Sequence, residues 1–456
     1  MKTFKLNLFA LLIIALVYSS CSDDDDTIIT DGGNNFVGAV YAMTNGNGQV
    51  AGTNIQGPNT IITYGRNTDG TLTPIGPVAT GGNGGDYDGG EGLDPLISAY
   101  ALAKTDDNKN LLAVNAGSNT ITSFNIQDDF SIVAAGSPQP TGAIGPNSIA
   151  YTSSNADGVK GIVYVSNITR AEFLAAGEPA QQGTVTGFWL LEDGTLSAIA
   201  GSTRNLANRP SAVQFSPDGN WLVVASINSG AAALASGSED ELVIYGVNAD
   251  GTLSASQIDG VTSTLRGNTE GRNLPSAIGF QIVGNNYVVV TEAREFQPDG
   301  TPPAFPALQD GSVSTWQIQG DGSLTAISTD VRSGIGNTGR TACWLDFTAD
   351  GNTFFVSNAI EAGLASYSFN NGTVTLLDQT AAQGTGTGGA DNGPDAFAST
   401  DGWIDMWISD DGQFLYQLYG LDGTIGIYRV NGQNLEFIGE ESGNLPDTNT
   451  QGIVAI

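Results

Sequence analysis

One short turn recurs along this chain: a polar residue, then Asp or Asn, Gly, Thr or Ser, and an aliphatic residue. It reads TDGTL at Asp69, EDGTL at Asp193, ADGTL at Asp250, GDGSL at Asp321 and NNGTV at Asn371, with weaker forms at Asp129 (DDFSI) and Asn431 (VNGQNL). The spacing is about sixty residues, and a fixed period means one supersecondary unit repeated along the chain. A β-patterned run precedes each turn: TIITYGR, TITSFNI, TVTGFWL, ELVIYGV, SVSTWQI, LASYSF and TIGIYRV. Asp-Gly between two such runs closes a hairpin, because glycine accepts the positive φ that the turn demands.

A second set of turns keeps the same period. TDDNKNLLAVN, SPDGNWLVVAS, VGNNYVVVTE, TADGNTFFVSN and SDDGQFLYQLY each join a short strand, SAYALA, PSAVQF, PSAIGF, ACWLDF and IDMWIS in turn, to a longer one. Six four-stranded units follow. In the remaining one GAVYAMTN matches the second strand, and the last residues, TQGIVAI, match the first. The expected fold is therefore all-β: a seven-bladed β-propeller with four-stranded blades, its ring closed by the C-terminal strand joining the N-terminal blade. Closure leaves no free sheet edge. One domain, residues 36–456, is expected. With 62 glycines and three methionines the composition favours strands and turns.

The net charge of −32 repels phosphate backbones and anionic headgroups, so nucleic acid is not an expected partner. There is no histidine, which removes the usual neutral-pH base and most zinc sites. Any catalysis must run on carboxylates, Arg, Tyr, Ser or a hard cation.

The N-terminus, MKTFKLNLFALLIIALVYSSC, has two lysines, an apolar run and small residues before Cys21, the pattern of a secretory signal over residues 1–20. It resembles a bacterial lipoprotein signal, which implies lipidation at Cys21. The following Ser22 and Asp23–Asp26 resemble the acidic export signal of Bacteroidota surface lipoproteins; the lesser alternative is a solvated acidic spacer. Residues 21–35 are thus the lipidated cysteine and an acidic tether. The expected location is the outer membrane, lipid-anchored and facing the cell surface or the periplasm, with membrane contact through the anchor only. Cys343, in ACWLDF, reads as a small buried core residue.

GAVYAMTN, the TGG-rich loop ending in DPL, LLAVNAGSNTITSF, RPSAVQFSPDG and FVSN resemble the lactonase-type seven-bladed propellers, which include 6-phosphogluconolactonase and carboxymuconate cyclase. The likeness covers nearly the whole mature chain. It implies a pocket at the mouth of the central channel where a sugar-acid or muconate lactone is opened or closed. The family's histidine has no counterpart in this sequence.

Two faces follow from propeller geometry: one carries the short turns, the other the long connections, where binding groups usually sit. Eight arginines fall on the second face: Arg170, Arg204, Arg209, Arg266, Arg272, Arg294, Arg332 and Arg340. Arg209 and Arg340 stand at the entrances of innermost strands and Arg272 shortly before one. Such guanidiniums either tie acidic loops together or hold a carboxylate or phosphate bidentately. The second strands end on Asn115, Asn167, Glu292 and Asn358, at one register; the asparagines either cap turns or ring the channel. For a hydrolase, Glu292 is the expected base, with Arg209 and Arg340 stabilising the oxyanion, and Arg272, Arg294, Asn115, Asn167 and Asn358 the ligand-binding set.

No metal or other cofactor is expected. Calcium is the one cation the acidic loops leave open, although neither Thr80–Pro95 nor the loop holding Asp391, Asp395, Asp401 and Asp405 has calcium-loop spacing. Thr80–Pro95, with Asp86, Asp88 and Glu91, reads as a flexible acidic lip between the first two blades. The expected molecule is a monomer that binds or acts on a small anionic, carbohydrate-derived ligand; the alternative is a non-catalytic surface-binding scaffold.

Overall fold

The structure is a computed structural model that describes residues 36–46, 48, 53–87, 94–169, 182–227, 241–262, 275–294, 311–334, 341–359, 363–383 and 402–456. Cys21 and the rest of Met1–Asn35 lie outside them, as a separate unit. The unit Phe36–Ile456 is seven antiparallel sheets, each a four-stranded path; blades 2 and 3 add a two-residue strand at the rim.

The ring closes as the sequence predicts. Ile453–Ala455 pairs with Gly38–Met43, with Val40 opposite Ala455 and Ala42 opposite Ile453. The innermost strands of blades 1 to 7 are Ile453–Ala455, Leu102–Lys104, Ile144–Ser153, Arg209–Phe215, Ala277–Val283, Ala342–Phe347 and Trp403–Ile408, each touching the next around the axis. The core lies between blades, where edge-on aromatic pairs such as Tyr287–Phe369 and Tyr164–Phe215 fill the gaps.

The recurring turn has a packing role beyond reversing the chain. Gly70, Gly194 and Gly251 sit at φ of 91°, 86° and 75°, and their carbonyls accept hydrogen bonds from the preceding blade. Tyr416 Oη donates to Gly70, Ser123 Oγ to Gly194 and Tyr164 Oη to Gly251, at 2.9, 2.7 and 2.9 Å. Each satisfied carbonyl docks one blade on the next without burying an unpaired polar group.

Two local readings change. The strand expected over SAYALA is only Leu102–Lys104, because Ile97 and Tyr100 adopt left-handed φ of 47° and 65° that break an extended run. The glycines after Thr80 are also not a flexible lip: Thr80–Gly85 completes the outer strand Leu72–Gly85. A Cβ at Gly84 would fall 1.6 Å from the Asn45 carbonyl oxygen, and one at Gly82 2.6 Å from Asn115 Cγ. These glycines permit close approach. Asp86 is buried and accepts from Gln56 Nε2 at 3.4 Å. Asp88 and Glu91 lie outside the described residues.

Candidate functional site

On the face of the long connections, the blade 1 to blade 2 connection runs into the channel. Ser98 and Ala99 are buried on the axis. Ser98 Oγ donates to the Asn147 carbonyl of blade 3 at 2.8 Å and Ala99 N to the Ser211 carbonyl of blade 4 at 3.0 Å. Tyr100 Oη donates to Phe280 O of blade 5 at 2.9 Å. The Ser98 carbonyl accepts from Trp344 Nε1 of blade 6 and from Gln451 Nε2 beside blade 1, at 3.0 and 2.8 Å. A segment tied to five blades fills the lumen at this depth, so residues 94–101 form a plug.

Arg209 starts the innermost strand of blade 4, half-buried, and turns its guanidinium onto this connection. Nη1 lies 3.5 Å from the Tyr87 carbonyl oxygen and Nη2 3.4 Å from that of Leu96. Part of the expected anion-binding group therefore already engages backbone carbonyls at the plug's entrance.

Glu292 and Arg294 form the densest charged cluster of the described residues. Glu292 ends the second strand of blade 5, opposite Ser312 on the third. Both charged side chains are out of solvent contact. Glu292 Oε2 accepts from Ser312 Oγ and pairs with Arg294 Nη2 at 3.3 Å. Arg294 Nη2 also pairs with Asp330 Oδ1 at 3.1 Å, and its Nε donates to Ser312 Oγ at 2.9 Å. Glu292 Oε1 has no hydrogen-bond partner among the described residues. Arg294 and Asp330 both hold left-handed φ, 55° and 54°. Such conformations in non-glycine residues store strain and cluster at functional sites.

The asparagines sit one strand behind the lumen. Asn115 Oδ1 accepts from Asn59 Nδ2 at 3.1 Å and from Thr80 Oγ1 at 2.5 Å, and its Nδ2 donates to Thr120 and Thr122. Asn167 Nδ2 donates to Thr184 Oγ1 at 3.1 Å. Asn358 is buried opposite Ala342 and Gly363. These bonds join strands and blades, the turn-and-strand role open to an Asn at this register. The structure brings Glu292 and Arg294 together and leaves Arg209 in another blade. Arg272 and Arg340, with Asp391, Asp395 and Asp401, lie outside the described residues. Among the described residues no group of three or more His, Cys, Asp or Glu side chains is placed to hold a metal ion.

Sequence reasoning missed the lumen itself and put Asp405 in an acidic loop, whereas it is buried in the innermost strand Trp403–Ile408 of blade 7. Asp346 Oδ1 accepts from Gln281 Nε2 at 2.7 Å and Oδ2 from Ile408 N at 2.6 Å; Asp405 Oδ2 accepts from Gly452 N at 2.6 Å. Burial pushes the two carboxyls up to about 6 and about 7, against backbone hydrogen bonds that favour ionisation. The available signal was a polar residue inside otherwise apolar innermost strands, as in AVQF, GFQI and WLDF.

Ring and plug together define a seven-bladed β-propeller. Among solved structures, a candidate 6-phosphogluconolactonase from Bacteroides uniformis is similar at 16% identity and a TM-score of 0.59, covering 92% of this chain and 99% of that one. The periplasmic gluconolactonase PpgL of Pseudomonas aeruginosa gives 14%, 0.58, 91% and 99%. A hypothetical selenium-binding protein from Sulfolobus tokodaii follows at 12% identity, 0.55, 92% and 93%. No protein-family profile and no curated protein sequence matches the chain. At these identities the likeness establishes the fold, which hosts more than one chemistry.

Proposed function

We propose that this propeller is lactonase-like and takes a small anionic, sugar-acid-type ligand on the face of the long connections. The observation that carries the reading is Glu292: one oxygen is fixed by Ser312 and Arg294 while Oε1 keeps a lone pair unengaged by any described residue. A general base needs that arrangement, an oriented carboxylate with one oxygen free to take a proton from water. Arg209 and Arg340 are the donors proposed for the developing oxyanion, and Arg272 and Arg294 are proposed as ligand-binding groups. The gluconolactonase names among the structural neighbours support the substrate class. Calorimetry with gluconate and 6-phosphogluconate tests ligand binding: saturable binding weakened by Arg209→Ala supports it, and no heat with either acid contradicts it.

A second reading is a non-catalytic binding propeller. It is favoured by the zero exposure of Glu292 and Arg294, since a buried ion pair can serve packing alone. Ligand binding without turnover of any lactone would select it. For location, we propose acylation at Cys21 and a monomeric, surface-exposed lipoprotein. Palmitate labelling lost in Cys21→Ala tests the anchor, and protease accessibility in whole cells tests the exposure.

A further inference from the structure

The plug divides the lumen, and the half on the short-turn side contains a site of different character. Alternation along the innermost strands of blades 2 to 7 brings one residue from each to the same depth: Ala103, Tyr151, Gln214, Gln281, Asp346 and Trp407, opposite Leu112, Val163, Val223, Val289, Phe355 and Tyr416 on the second strands. With Tyr100 rising from the plug, Tyr151, Gln214 and Trp407 line a cavity of about 250 Å³ whose rim carries Lys104 and Asp106.

The geometry points to a binding site for a single neutral monosaccharide ring in this cavity, with the faces of Trp407 and Tyr151 as platforms and Gln214, Lys104 and Asp106 as hydrogen-bonding groups. Size is the first argument: the volume falls below the roughly 300–1,000 Å³ of drug-sized pockets, and suits one ring. Chemistry is the second. Aromatic side chains offer broad apolar faces to C–H groups, while an amide, an ammonium and a carboxylate at one rim match the mixed donors and acceptors of vicinal hydroxyls.

Charge is the third argument, and it selects a neutral ligand. The Lys104 ammonium is already held by Asp410 at 2.9 Å and by Asn108 Oδ1 at 2.7 Å. Both Asp346 oxygens accept from described donors: Gln281 and Phe347 N on one, Ile408 N on the other. Tyr100 Oη is spent on Phe280 O. No unpaired cation is left among these groups to reward an anionic ligand, and the acidic surroundings repel a second carboxylate; Asp106, the carboxylate at the rim, is exposed to water, where its pull on a cationic ligand is screened. The site lies across the plug from Arg209 and Glu292, so it stands whether or not those residues act on a sugar acid.

Saturation-transfer NMR and calorimetry on the whole protein with D-glucose, D-galactose and D-mannose test this, with sodium gluconate and choline chloride as charged probes. At least one hexose should bind saturably in the millimolar range, weakened at least tenfold by Trp407→Ala and unchanged by Arg209→Ala. Should Trp407→Ala melt too low to assay, Gln214→Ala reads the same pocket and should weaken binding by a similar factor. The inference is overturned if none of the three hexoses binds, if neither variant changes the binding that is seen, or if only gluconate or choline binds.

Discussion

Trp344 Nε1 donates to the Ser98 carbonyl at 3.0 Å, joining the innermost strand of blade 6 to a residue 246 positions earlier that sits on the propeller axis. Gln451 makes the second bond to the same carbonyl and also accepts from Leu96 N, at 3.2 Å. Trp344→Phe keeps an aromatic ring but removes one donor and part of the buried indole volume, so it should lower unfolding free energy by about 1–2 kcal/mol. Gln451→Ala strips two backbone groups of a partner in a buried place, and should cost about 2–3 kcal/mol. Denaturant titration of both variants measures the difference. Equal, near-zero effects would mean that the plug is not held by these bonds.

Ring closure rests on a second long-range contact. Arg66 Nε donates to the Ile456 carbonyl at 3.2 Å, its Nη1 pairs with Asp411 at 2.9 Å, and the guanidinium lies 5.9 Å from the Phe414 ring centre. First blade, last blade and final strand thus meet at one buried cation. Arg66→Leu retains apolar contact but takes the cation from a partly exposed carboxylate and one of two donors from the Ile456 carbonyl, which keeps Ala39 N, and should destabilise by about 2 kcal/mol. Hydrogen exchange should rise first in Ile453–Ala455, because the strand loses its clamp before the other blades open.

The lumen carboxyls make stability depend on pH with a definite sign. Burial raises Asp405 to about 7 and Asp346 to about 6 in the folded protein, from an ordinary value of 3.8. Between about pH 4 and pH 6–7 the folded state therefore holds protons that the unfolded chain has released. Stability from these groups falls as pH rises through that window, by up to about 1.4 kcal/mol per pH unit for each proton held, and levels off above pH 7. Melting curves from pH 4.5 to 8 should show the decline, and Asp405→Asn should flatten its upper part. A variant as steep as the parent protein would remove Asp405 as the source.

How much of this was legible in the sequence differs by element. The turns around Asp69, Asp193, Asp250 and Asp321 gave away the blade period because glycine at positive φ is a local requirement. The split blade could be read because GAVYAMTN and TQGIVAI each carry one strand's pattern. The plug could not be read: Ile97 and Tyr100 leave strand geometry in a segment whose Ser98, Ala99 and Tyr100 bond to Asn147, Ser211, Phe280, Trp344 and Gln451, all from distant parts of the chain. The glycines at 82 and 84 look like loop composition until Asn115 and Asn45 are seen against them. Similarly, Glu292 was visible as the odd carboxylate in a row of asparagines, whereas Asp330, which shares the Arg294 guanidinium with it, belongs to an outer strand and carried no signal.

The most direct measurement of the account is the rate of lactone opening by pH-stat on 6-phosphogluconolactone and glucono-δ-lactone, for the wild-type protein and Glu292→Gln. Catalysis above the spontaneous rate is expected on at least one lactone. Glu292→Gln should reduce it by roughly 10²–10⁴-fold, the usual contribution of a positioned base. Arg209→Ala should lower it by a smaller factor, on the order of 10², as loss of an oxyanion donor does. Turnover that survives Glu292→Gln unchanged would contradict the assignment of the base, and no turnover of either lactone by the wild-type protein would contradict the lactonase reading itself.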